Sequence, residues 1–157
     1  MKTKSSRSTV RLAAALTLAV LAALPAAAQV KVADPWVRGT VAQQKATGMF
    51  ARITAPQAGR LVAASSPVAG VVEIHEMAME GNVMKMRAIP GLDLPAGKAV
   101  DLKPGGYHVM LMDLKQQLKP GDTVAVTLVV ESGGKRESVE LRAPVRELSA
   151  GTGGHKH

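Results

Sequence analysis

Residues Val71 to Met86 read VVEIHEMAMEGNVMKM. Gly81-Asn82 divides this stretch into two runs, and two such residues between alternating segments mark a two-residue hairpin loop. The pairing that follows sets Glu80 opposite Val83, Met79 opposite Met84 and Met77 opposite Met86. Strand side chains alternate with period two, so His75, Met77 and Met79 share one face, and Met84 and Met86 join them across the pair. His75 becomes a diagonal neighbour of Met86, about 7–8 Å away between backbones and within reach of long side chains. The reading is a β-hairpin with one face of thioethers and an imidazole.

The rest of the chain follows the same pattern. Extended segments are expected at Val30–Val32 and Trp36–Val41, split by Pro35, then at Thr47–Thr54, Arg60–Ser65, Val71–Met79 and Val83–Ala88. Further segments are Lys98–Leu102, Tyr107–Leu114 and a final hairpin of Asp122–Glu131 with Arg136–Pro144 around Gly133-Gly134. Helical periodicity is hard to find after residue 29. Many short strands separated by Gly, Pro, Asn and Asp predict an all-β single domain, a β-sandwich or Greek-key barrel.

The segment Tyr107 to Leu114, YHVMLMDL, places His108, Met110 and Met112 on one face. If its end approaches the hairpin, two histidines and several methionines converge. Six of the eight methionines lie between Met77 and Met112. Methionine at alternate strand positions commonly fills a core, but here each of the two histidines heads an H-x-M step in a methionine-rich strand. Neutral imidazole and thioether suit Cu(I). A thioether-rich set suits zinc poorly, since zinc sites use thiolate, imidazole and carboxylate, and calcium worse, since it wants oxygen. There is no cysteine, which excludes a thiol nucleophile and the thiolate of a blue-copper electron-transfer centre.

The start of the chain has another character. Lys2, Lys4, Arg7 and Arg11 precede an apolar run, Leu12 to Leu24, closed by Pro25 and Ala26-Ala27-Ala28. This is the layout of a secretory signal peptide over residues 1–28, and the run is short for a membrane span. A mature domain is expected over 29–147, with no membrane insertion after cleavage, followed by a flexible tail over 148–157. Removing the leader drops the net charge from +8 to +4, leaving 16 of 20 basic residues against 12 acidic ones. With Trp36, Phe50 and Tyr107 as the only aromatic residues, a basic stripe interleaved with stacking platforms is missing, and nucleic-acid binding is not expected. Hydrolase, phosphate-loop and HExxH motifs are likewise absent, and no enzyme activity is expected. The tail ends Gly-His-Lys-His, and His155 and His157 offer imidazole nitrogen to Cu(II).

The spacing His75, ten residues, Met86, twenty-one residues, His108, one residue, Met110 resembles the H-x10-M-x21-H-x-M signature of the periplasmic copper-A chaperone family, PCuAC. The flanking strings PWVRGTV, QKATGMF, ASSPVAGVVEIHEM, MKMR and LKPGGYHVMLMDLK resemble the family as well, over roughly residues 33–146. The resemblance implies a cupredoxin-like β-sandwich, with His75, Met86, His108 and Met110 as the Cu(I) ligands. Met77, Met79, Met84 and Met112 are then auxiliary or packing residues. It also implies a monomer in the periplasm that delivers copper to the copper-A domain of cytochrome c oxidase, alongside Sco-type copper proteins. The same ligands would serve a periplasmic copper storage or resistance protein without a dedicated client.

Overall fold

A computed structural model describes residues 28–147; the expected leader (1–27 of its 28 residues) and the expected tail, with His155 and His157, lie outside the described residues. Ten strands follow one another: β1 Lys31–Arg38, β2 Ala46–Thr54, β3 Gly59–Ser65, β4 Ala69–Glu80, β5 Val83–Ala88, β6 Leu92–Leu94, β7 Ala99–Leu102, β8 His108–Leu114, β9 Thr123–Ser132 and β10 Lys135–Arg146. They form two leaves. One leaf runs β5-β4-β8-β2-β1, with β7 beside β2 beyond the end of β8; the other runs β10-β9-β3-β6. A short parallel pairing of β1 with β10, Val37 to Val145 and Arg38 to Arg146, joins them. The path stays open between β5 and β6, so the leaves make a sandwich and not a closed barrel.

Alternation explains how the leaves pack. In β8, Val109 and Leu111 are fully buried while Met110 and Met112 are half-buried. Ile74 in β4 and Met49 in β2 point the same way as Val109, and join Leu61, Val126, Leu128 and Val130 of the other leaf in one core cluster. Each fully buried aliphatic side chain contributes about 1.5–3 kcal/mol relative to exposure. With no disulfide available, this burial is what holds the leaves together. The residues of opposite parity on β4, β5 and β8 therefore face away from the core.

Two expectations are corrected in detail. Pro35 does not split β1: the strand continues as a bulge, with a register shift between Ala33 and Trp36 and a left-handed Asp34 (φ +47°). That distortion accommodates a residue with no N–H to give the ladder. The three-residue β6 was not expected; it pairs Leu92 with Leu61 and Leu94 with Gly59. At the other side of the sandwich, Arg52 bonds Asp101 at 2.6 Å and clips β7 to β2. The hydrogen bond from Arg52 holds the Asp101 carboxyl below the usual carboxylate range.

Candidate metal centre

The hairpin has the register that its turn dictates. Glu80 pairs with Val83, Met79 with Met84 and Met77 with Met86, and Gly81 takes a left-handed φ of +62° at the first loop position, where a side chain would be strained. On its other edge β4 pairs with β8, which sets His75 directly opposite His108 and Glu73 opposite Met110. β8 in turn sets Met110 opposite Gly48 of β2. Local alternation and two long-range pairings thus assemble His75, Met77, Met86, His108 and Met110 on the face turned away from the core.

Both histidines are buried, with 7% and 6% of their surface exposed, and their ring centroids lie 5.7 Å apart. His108 donates Nδ1–H to the Gly106 carbonyl at 2.9 Å. That bond assigns the tautomer and leaves a lone pair on Nε2, 3.1 Å from the Met86 sulfur. A thioether has no hydrogen either, so nitrogen and sulfur lone pairs meet with no proton between them. His75 has the opposite arrangement. Its Nε2 lies 2.8 Å from a Glu73 carboxylate oxygen, and because an ionised carboxylate only accepts, Nε2 carries the hydrogen. The Nδ1 lone pair is buried and has no partner. Buried polar atoms without partners are rare and costly. That partnerless nitrogen, together with the bare His108 Nε2 against the Met86 sulfur, fits a soft cation. Among the described residues, no three His, Asp or Glu side chains group as a possible metal cage, so sulfur has to complete the donor set.

A cleft of about 330 Å³ is lined by Met77, Met86, His108 and Met110, with Phe50 and Gly48 among its other walls, while His75 lies beneath it and does not line it. Phe50 lies between Trp36, 4.6 Å away between ring centroids, and His108 at 6.3 Å. Gly48 makes that placement possible, since a Cβ there would stand 2.7 Å from the tip of the Phe50 ring. Met86 is 48% exposed while His75 is buried, so the set is reached from the Met86 side. Met112 pairs with Val71 and Ala46, one step further along the same face, and is not among the residues lining the cleft. Met79 and Met84 project beyond it into solvent.

Glu73 has no role in the sequence reading, and the structure gives it one beside His75. Its partnership with His75 was legible, because residues two apart on a strand share a face. The Gly106 carbonyl and the Phe50–Gly48 wall depend on loop geometry and cross-strand packing, for which the residues alone carry no signal.

Residues 30–145 match the LpqE-like family, described as LpqE-like lipoproteins. A protein described as lipoprotein Lxx21020, from Leifsonia xyli subsp. xyli (strain CTCB07), is 30% identical over 142 residues, covering 85% of this chain and 84% of the relative. The apo PCuAC domain from PmoF1 superposes with a TM-score of 0.62 at 28% identity, over 76% of this chain and 95% of that domain. The solution structure of DR1885 from Deinococcus radiodurans in its Cu(I) form superposes with a TM-score of 0.60 at 27% identity, over 83% of this chain and 85% of that one. The all-β fold is the cupredoxin-like fold of these domains, and the chain belongs to the LpqE-like, or PCuAC, family.

Proposed function

We propose that this protein binds one Cu(I) ion through His75, Met86, His108 and Met110, and carries it in the periplasm to the copper-A site of cytochrome c oxidase. The observation that carries the reading is the contact between the bare Nε2 of His108 and the Met86 sulfur, 3.1 Å apart, next to the partnerless Nδ1 of His75. Imidazole and thioether donors favour the soft monovalent ion. The likeness to DR1885, solved with Cu(I) bound, supports the same cargo here, and the relationship to proteins described as lipoproteins supports export from the cytoplasm.

The chain's own part in transfer is to hold two ligands still and leave two reachable. The histidines are fixed from behind by Glu73 and by the Gly106 carbonyl. Met86, on an exposed edge strand, can be replaced by a ligand of an approaching partner without opening the core. Copper then leaves by ligand exchange, with no change in oxidation state. Sco-type copper proteins are the expected companions in that delivery, and His155 and His157 are assigned to Cu(II).

The test is a Cu(I) titration of the mature protein against a competing chelator, followed by mixing the loaded protein with an apo copper-A domain. One tightly held ion and transfer to that domain are expected. Tight binding with no transfer would point to storage of copper, and no binding would overturn the reading.

A further inference from the structure

The four thioethers of the hairpin do not all belong to the cleft. Met79 and Met84 are 60% and 48% exposed, whereas Met49, a true core methionine, is fully buried. β5 is exposed at every residue, so these side chains fill no core. The two faces of the hairpin are chemically distinct. The face opposite the methionines carries the Glu76–Arg87 and Glu80–Lys85 ion pairs, each at 2.7 Å. The methionine face carries two directly opposed pairs, Met79 with Met84 and Met77 with Met86. Opposed residues on paired strands have Cβ atoms about 4.5–5.5 Å apart, and methionine has three rotatable bonds beyond its backbone. Two such side chains can close on a single ion without moving the strands.

We propose that Met79 and Met84, assisted by Met77, form a second binding site for a soft monovalent metal ion at the tip of the hairpin, built from thioethers alone. The ligand class is a d10 cation such as Cu(I), for which Ag(I) serves as a redox-inert probe. The ion displaces no proton, because a thioether has none. The adjoining Met77–Met86 pair continues the row of sulfurs into the cleft, so the outer site stands at the entrance of the inner one. Only this direction of traffic rests on the copper-binding reading of the cleft; the outer site itself does not.

The experiment uses the mature full-length protein carrying 13C-methyl methionine, titrated with silver nitrate in chloride-free buffer. Metal equivalents are counted in parallel by native mass spectrometry. The first equivalent is expected to shift the methyl signals of Met86 and Met110, and a further one those of Met79 and Met84. The Met79→Leu/Met84→Leu variant is expected to bind one equivalent fewer while keeping the first step. The His75→Ala/His108→Ala variant is expected to lose the first step and keep the shifts at Met79 and Met84. Silver held by His155 and His157 is common to parent and Met79→Leu/Met84→Leu variant and cancels in that comparison. Met79 and Met84 signals that stay still in the parent, or an unchanged count in Met79→Leu/Met84→Leu, would overturn the outer site. Failure of the cleft reading has a different signature, with Met86 and Met110 signals that never move.

Discussion

His75 and His108 stand opposite each other on neighbouring antiparallel strands, with ring centroids 5.7 Å apart, and each keeps a different nitrogen bare. Glu73 accepts a hydrogen bond from Nε2–H of His75, and the Gly106 carbonyl accepts one from Nδ1–H of His108. The outer hydrogen bonds thus choose the tautomers before any metal arrives.

Glu73 is a positioning residue under this scheme, and replacing it with leucine removes the acceptor that fixes His75. Partners of metal-bound histidines are typically worth roughly 10–100-fold in affinity, so Glu73→Leu is expected to weaken Cu(I) binding by that order. Its side chain is 44% exposed, so the fold is expected to tolerate the change. Nitrogen-15 NMR of the histidine rings provides the readout that a merely structural role would not move. The parent shows His75 protonated at Nε2, and the variant loses that preference. An unchanged tautomer and unchanged affinity would remove Glu73 from the site.

Replacing methionine by leucine keeps volume and removes sulfur, which separates ligation from packing. Met86→Leu and Met110→Leu are each expected to change stability by under about 1.5 kcal/mol while weakening Cu(I) binding by at least about tenfold, or about 1.4 kcal/mol. Met112→Leu, one pair further along the face and away from the cleft, is expected to bind like the parent. Competition titrations and denaturant unfolding of the three variants give both quantities. Parent-like affinity in Met86→Leu would break the assignment.

How much of this was legible in the residues depends on the range of each contact. The hairpin register followed from two loop residues and strict alternation, because period two leaves no freedom once the turn is known. Its junction with β8 could be stated only as a condition, since residues 75 and 108 are brought together by strand order, and nothing local encodes strand order. Pro35 reads as a break because it lacks an N–H, yet a bulge absorbs it. Leu92–Leu94 is too short to show alternation, and exists because Leu92 and Leu94 can enter the core beside Leu61.

Gly48 is where the wall of the cleft is most sensitive. A methyl group there meets the Phe50 ring at 2.7 Å, closer than van der Waals contact permits, so the ring must leave its place between Trp36 and His108. Overpacking of this kind typically costs about 1–3 kcal/mol, and Gly48→Ala is expected to lose that much stability in denaturant unfolding. Adding Phe50→Leu relieves the clash, so the double variant is expected to be more stable than the sum of the two single effects allows. Simple additivity would mean that Phe50 is not what Gly48 accommodates.

Deleting residues 151–157 removes His155 and His157 but no thioether. The truncated protein is expected to keep its tight Cu(I) ion and to lose Cu(II) binding, measured by chelator competition for Cu(I) and by electron paramagnetic resonance for Cu(II). Loss of the Cu(I) ion would place the tail in the primary site.

Acid and copper compete for the same lone pairs. In the proposed site Cu(I) takes the bare Nδ1 of His75 and the bare Nε2 of His108, and a proton on either nitrogen removes a ligand. The thioethers of Met86 and Met110 take no proton in the ordinary range. Metal binding therefore releases protons wherever free imidazole would be charged, and affinity falls as pH falls. Each bound histidine exchanges one proton for the metal, so the limiting slope approaches two protons per copper if both histidines bind, and one if a single histidine does. Variants with one histidine replaced by alanine are expected to lose affinity overall and to halve that slope. The Met79–Met84 pair, all sulfur, is expected to hold silver equally at pH 8 and pH 5.5. Titrations across that range, with a chelator whose own proton binding is known, measure the slopes. A pH-independent Cu(I) affinity in the parent would mean that neither histidine binds the metal.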